Sequence, residues 1–141
     1  MVFGANFSIG VHVFYRLVDR AAELFRGVAA YDAFIEEAHH ANKRDAPSGT
    51  ALRLRDILAR ALHRPVAVAS TRAGHIPGTH RVGFDSAADQ VTVEHVARSR
   101  DGFAAGALLA AQWAVGRAGG GVFAFDDVLD DTLAARSEKR P

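Results

Sequence analysis

The segment Glu36-Glu37-Ala38-His39-His40-Ala41-Asn42-Lys43-Arg44-Asp45-Ala46-Pro47-Ser48-Gly49-Thr50-Ala51 concentrates the reactive side chains of this chain. Two imidazoles, His39 and His40, and two fixed cations, Lys43 and Arg44, stand just before a helix start at Pro47-Ser48-Gly49-Thr50. A helix start offers unpaired backbone N–H groups and the positive end of the helix dipole. Ser48 and Thr50 add hydroxyl donors, and Gly49 lets a ligand approach the backbone. Together these features describe a site for a carboxylate or phosphate. Imidazole beside it supplies a proton donor near neutral pH. The ordinary alternative is a capped helix preceded by a solvated polar loop. The seven histidines, His12, His39, His40, His63, His75, His80 and His95, are scattered without paired spacing beside an acid, so no metal site is expected.

The elements that must position these residues follow from periodicity. Asn6 or Ser8 can cap a first helix running to about Arg26, with Phe14, Leu17, Val18, Ala21 and Phe25 on its apolar face and Gly27 as its stop. Tyr31 to Ala38 reads as a strand. The second helix carries Leu54, Ile57, Leu58 and Leu62 on one side, and Pro65 follows its end. Val66–Arg72, Thr79–Phe84 and Gln90–Ala97 read as three strands joined by turn compositions, which suggests an antiparallel meander. The poor alternation of the last run implies that both its faces are covered. A helix from Asp101 to Val115 is uncharged from Gly102 onward and apolar all round, so burial on more than one side is expected. After Gly119-Gly120-Gly121, residues 122–133 read as a short tail, and 134–141 as a frayed terminus. The expected class is α+β: a mixed sheet of about four strands with helices on one face and the other face in an oligomer interface. Val66, Val68, Val82, Phe84, Val91, Val93 and Val96 occupy both parities and are expected to supply that second face.

Composition narrows the function classes. The 141 residues suffice for a real core, and 49% hydrophobic with 23% charged residues is ordinary for a soluble domain. A formal net charge of +1 provides no global field for nucleic acid or an acidic membrane. The absence of cysteine removes disulfides, zinc-thiolate sites and thiol catalysis. No apolar run spans a bilayer, and the N-terminus lacks a basic leader followed by an apolar stretch, so a cytoplasmic location is expected.

The run His39-His40-Ala41-Asn42-Lys43-Arg44-Asp45-Ala46-Pro47-Ser48-Gly49-Thr50-Ala51 is similar to the signature of dihydrodipicolinate reductases: two histidines, two variable residues, lysine, one variable residue, then Asp-Ala-Pro-Ser-Gly-Thr-Ala. Three further segments agree in order. Ala5–Val11 resembles the family's hinge and first substrate-domain helix, Arg72–His80 its Arg-Ala-Gly…Gly…His hairpin, and Ser99–Ala107 its return segment. The resemblance runs from about Val2 to Leu129. It implies a cyclic dicarboxylate substrate, hydroxy-tetrahydrodipicolinate, reduced by NADPH or NADH in lysine and diaminopimelate biosynthesis. It implies His39 and Lys43 as the proton-transfer pair, and His40, Lys43, Ser48, Gly49 and Thr50 as holders of the substrate carboxylates. It also implies Asn6 and Phe7 as partial cofactor contacts, and a homotetramer with sheets facing one another.

The family begins with a Rossmann domain, which needs a strand, a glycine-rich turn and a helix. No Gly-x-Gly-x-x-Gly occurs here, and Gly119-Gly120-Gly121 follows a helix. Residues 1–5 are therefore expected to be the end of a missing dinucleotide-binding domain, 6–100 the substrate-binding and oligomerisation domain, and 101–133 a return helix and tail that would pack on the missing part. A fragment, a split gene product and a degenerate relative all fit. The isolated chain is expected to be inactive, and a separate Rossmann-domain chain is an admissible partner. The second reading is a non-catalytic dicarboxylate-binding or oligomerisation module derived from the same family.

Overall fold

Helix α1 (Ile9–Phe25) begins where two side chains take up its first donors. Asn6 Oδ1 accepts from the Ser8 N–H at 2.7 Å, and Ser8 Oγ accepts from the Val11 N–H at 3.4 Å. The computed structural model describes residues 1–117 and 119–137. The buried stripe of α1 is Val11, Phe14, Tyr15, Val18 and Ala22. This differs from the expected face: Leu17 is exposed, because the stripe follows the i, i+3, i+4, i+7 positions from Val11. Gly27 takes φ +81° after the helix, a conformation that a side chain would strain.

The chain divides into two units, Val13–Ser99 and Met1–His12 with Arg100–Pro141. The first holds strand β2 (Asp32–His39), helix α2 (Gly49–Leu62) and strands β3 (Ala67–Arg72), β4 (Thr79–Asp85) and β5 (Gln90–Val96). The sheet order is β3-β2-β4-β5. β3 runs parallel to β2, while β4 is antiparallel to β2 and β5 to β4. The sheet is mixed, but the three strands after α2 do not form the expected meander. Parallel neighbours need a crossover, and α2 provides it from β2 to β3. The 73–78 connection then crosses the end of β2, where Ala73 N–H donates to His39 O at 3.0 Å and Ala41 N–H to Gly74 O at 3.2 Å. β4 consequently takes the other side of β2.

Register corrects the reading of the valines. Ile35 pairs with Val68 and Val82, Val82 with Val93, and Phe84 with Val91, so all of these point to one face. That face carries the core: Ala33, Ile35, Val82 and Phe84 are buried together with Leu54 and Leu58 of α2 and Val18 of α1. Only Val96 of the expected set lies on the opposite face, and it is exposed. There Phe34 lies over Gly83, where an added Cβ would meet the ring at 2.3 Å. Arg81 pairs with Glu36 beside it. Nor is β5 covered on both faces, since Val91 and Val96 are exposed.

In the other unit, strands β1 (Val2–Phe3) and β6 (Phe123–Ala124) pair in parallel. Helix α3 (Asp101–Val115) packs with helix α4 (Phe125–Ser137) around Ala110, Phe125 and Val128. The expected tail is therefore mostly helix. α4 runs through the first residues of the expected frayed terminus, and 138–141 lie outside the described residues. Contrary to expectation α3 is not buried on several sides: its buried residues are Gly106 and Ala110, while Leu108 and Val115 are exposed. Gly106 is required by close approach, because a Cβ would stand 1.5 Å from the Phe7 carbonyl oxygen. His12 ties this unit together through Asp126 Oδ1 at 2.7 Å and Asn6 O at 2.9 Å. Among the described residues no helix is long and apolar enough to cross a membrane.

Candidate functional site

The carboxyl ends of the parallel strands β2 and β3 meet the N-terminus of α2, the usual place for a ligand in a β–α–β arrangement. Alternation along β2 sends Glu37 and His39 to the helix-covered face. Register then adds one neighbour from each side: Arg72 of β3 stands beside His39, and His80 of β4 beside Glu37. Glu37, His39, His80 and the α2 cap Ser48 are all buried.

Glu37 is the hub. Oε1 accepts from Arg72 Nη2 at 2.7 Å and from the Ser48 N–H at 3.2 Å. Oε2 accepts from Arg72 Nη1 at 3.0 Å and from His39 Nδ1 at 2.5 Å. These four bonds, with a further one from Ser70, saturate the carboxylate. Burial pushes its carboxyl up, but bonds from Arg72, Ser70, His39 and Ser48 outweigh it and hold it at about 2. Glu37 is therefore an anion at any physiological pH. Arg72 also donates to Asp45 O at 2.6 Å, which ties the Lys43 loop to the same carboxylate.

Because Glu37 is ionised, the His39 nitrogen facing it must donate, which leaves Nε2 unprotonated in the neutral ring. Burial lowers the His39 pKa; bonding and charge at Glu37 oppose this, and Lys43 and Arg72 add to it. Gly78 stands beside that nitrogen: an added Cβ would lie 3.1 Å from His39 Nε2, and its φ of +150° favours glycine. His80 packs edge-on to His39 with centroids 5.0 Å apart. Its Nε2 lies 2.9 Å from Ser48 Oγ, and its Nδ1 is buried without a partner. Burial first, then the charge of His39, pushes His80 down to about 4, so it is neutral. A buried bare nitrogen costs less than a buried orphan N–H, which favours His80 donating from Nε2 to Ser48 Oγ. That leaves the Ser48 hydroxyl hydrogen for a ligand.

The sequence-predicted residues fall into two groups. His39, Lys43, Ser48, Gly49 and Thr50 lie at or near this helix start. Lys43 Nζ pairs with Asp45 Oδ1 at 2.8 Å, and His40 is exposed in the turn that Lys43 N–H closes onto His40 O. Ser48 caps α2 by accepting from the Ala51 N–H at 3.2 Å, and its carbonyl takes the Leu52 N–H. The Gly49 and Thr50 N–H groups are the first-turn donors that remain for a ligand. Among the described residues, nothing beyond its chain neighbours and its own helix backbone comes within 4 Å of the position of a Cβ on Gly49. Asn6 and Phe7 belong to the other unit, where Asn6 caps α1 and Phe7 packs edge-on to Phe125 with centroids 5.2 Å apart.

Sequence reasoning assigned no chemical role to Glu37, Arg72, Gly78 or His80, although the Arg-Ala-Gly…Gly…His resemblance marked the last three. The Glu37-x-His39 spacing on a strand was a usable signal. The other three come from distant segments. Glu37, His39 and His80 each offer a ligand atom within 4.8 Å of the others, an acid–histidine grouping that sequence spacing did not reveal. The bidentate Arg72 guanidinium already fills Glu37 and opposes a cation, so the arrangement suits proton handling rather than a metal.

An α+β domain with an imidazole and an open helix start at its parallel-strand ends is what the fold and site define. Residues 10–129 match the family described as dihydrodipicolinate reductase, C-terminus. The chain belongs to that family. It is 37% identical over 142 residues to the 4-hydroxy-tetrahydrodipicolinate reductase of Christiangramia forsetii, covering 92% of this chain and 59% of that protein. It is 39% identical over 143 residues to the enzyme of the same name from Methanosarcina barkeri, covering 91% of this chain and 53% of that protein. The chain thus spans a little over half the length of these relatives. Its fold is similar to that of the dipicolinate-bound dihydrodipicolinate reductase from Paenisporosarcina sp. TG-14, with a TM-score of 0.64 and 23% identity over 77% of this chain and 47% of that one.

Proposed function

We propose that this chain is the substrate-binding and assembly part of a 4-hydroxy-tetrahydrodipicolinate reductase. It holds a cyclic dicarboxylate at the start of α2. The observation that carries this is the buried His39, oriented by an ionised Glu37, beside a helix N-terminus with N–H and hydroxyl donors. The ligand's carboxylates would be received by His40, Lys43, Ser48, Gly49 and Thr50. His39 and Lys43 would carry the proton that accompanies reduction. An anion here would raise the proton affinity of His39, so the ring gains a proton as the ligand arrives.

NADPH or NADH would supply hydride when bound. The residues present do not make a dinucleotide site on their own: the sequence has no glycine-rich turn between a strand and a helix. Asn6 and Phe7 remain proposed as minor cofactor contacts, with the main site in another domain or chain. A homotetramer joined through the sheet face that carries no helix in its unit completes the reading, as does a cytoplasmic location.

Calorimetric titration of the chain with pyridine-2,6-dicarboxylate tests the pocket. Binding is expected. Lys43→Ala should weaken it about tenfold or more, with added salt weakening it further. Unchanged affinity in that variant removes Lys43 from the site.

A further inference from the structure

We infer that Glu37 is the positioning residue for His39, locking its ring as the Nδ1–H tautomer with Nε2 turned to the ligand, and that Arg72 keeps the proton from passing to Glu37. The inference rests on the proposed role of His39 and extends it to two residues without an assigned role.

Three observations support it. The His39 Nδ1 to Glu37 Oε2 distance is 2.5 Å, and both side chains are buried, so no water competes for the bond. Glu37 accepts two bonds from the Arg72 fork and one from the Ser48 N–H, so its plane is fixed independently of His39. A carboxylate so fully donated to is a poor proton acceptor and acts as an orienter. Finally, Gly78 passes close to the Nε2 edge of the ring, where an added Cβ would stand 3.1 Å from that nitrogen. The orienter is thus on one edge of the ring and the vacant nitrogen on the other. An amide in place of an orienting carboxylate presents N–H as well as C=O, and can stabilise the wrong tautomer of its histidine.

The test is nitrogen NMR of the histidine-labelled 141-residue chain, with and without pyridine-2,6-dicarboxylate. His39 is assigned by its loss in His39→Asn. In the wild type at neutral pH the protonated nitrogen is expected to be Nδ1. In Glu37→Gln the proton should move to Nε2, and affinity for the dicarboxylate should fall about tenfold, the loss of one charge-assisted bond. A wild-type His39 protonated at Nε2 overturns the proposal, and this spectrum decides even if Glu37→Gln does not fold. An unchanged tautomer in a folded Glu37→Gln overturns it as well. A dicarboxylate that leaves the wild-type His39 signals unmoved sinks the ligand reading instead, and the tautomer result still decides the role of Glu37.

Discussion

Arg72→Met cuts the guanidinium fork from a carboxylate whose side chain has no exposed surface. The wild-type Glu37 carboxyl lies at about 2, against 4.5 for an ordinary glutamate. At about 1.4 kcal/mol per decade of proton activity, that span means ionisation of Glu37 stabilises the fold by about 3 kcal/mol. Burial opposes this figure, and Arg72 is the largest of the groups that outweigh it. Without Arg72 only the bonds from Ser70, His39 and Ser48 are left against the desolvation cost, and the loss at pH 7 should be about 3–5 kcal/mol, a large share of the stability of a domain this size. The sign with pH follows. In Arg72→Met the carboxyl titrates above its ordinary value, so acidification neutralises the unpaired charge and relieves the variant. The wild type keeps its advantage until the pH falls from 4.5 toward 2, where it too is lost. The gap between the two proteins therefore narrows as pH falls. Urea denaturation followed by far-UV circular dichroism at about pH 7.5 and pH 4.5 measures it. The double variant Glu37→Gln with Arg72→Met should recover much of the loss, since no buried charge remains. A gap that is the same at both pH values, or strictly additive losses in the double variant, would refute the reasoning.

The proposed assembly and the burial of His80 give two other outcomes. Light scattering should give about four times the 15.1 kDa chain mass, and Ala69→Arg, on the sheet face opposite the helices, should lower it; a monomer at every concentration tested rules out that interface. His80 titrates at about 4 when folded and near 6.5 when unfolded, so its contribution is complete above 6.5 and is lost as pH falls toward 4, by about 3 kcal/mol in all. His80→Gln should flatten the stability profile in that window, and a profile as steep as the wild type's would contradict the burial of a neutral ring.

What the sequence determined by itself is local. The cap at Ser48 depends on a hydroxyl three residues before the Ala51 N–H, and Asn6 and Ser8 start α1 by the same short-range logic. Two-residue alternation put Glu37 and His39 on one face of β2. The cations and helix start of the 39–51 segment could be read as an anion site because they are neighbours along the chain. The tertiary structure decided everything that needed a strand order. Arg72 and His80 reach Glu37 only because β2 lies between β3 and β4, and a meander would have separated them. Gly78 reaches His39 because the 73–78 connection crosses the end of β2. The valines of β3, β4 and β5 share one face because pairing register, not position in the sequence, sets which parities coincide across strands. Alternation within one strand costs nothing to read, but the phase between strands is fixed by the cooperative burial of Ile35, Val82 and Phe84 beneath the helices. That phase is a property of the whole core and of no single segment.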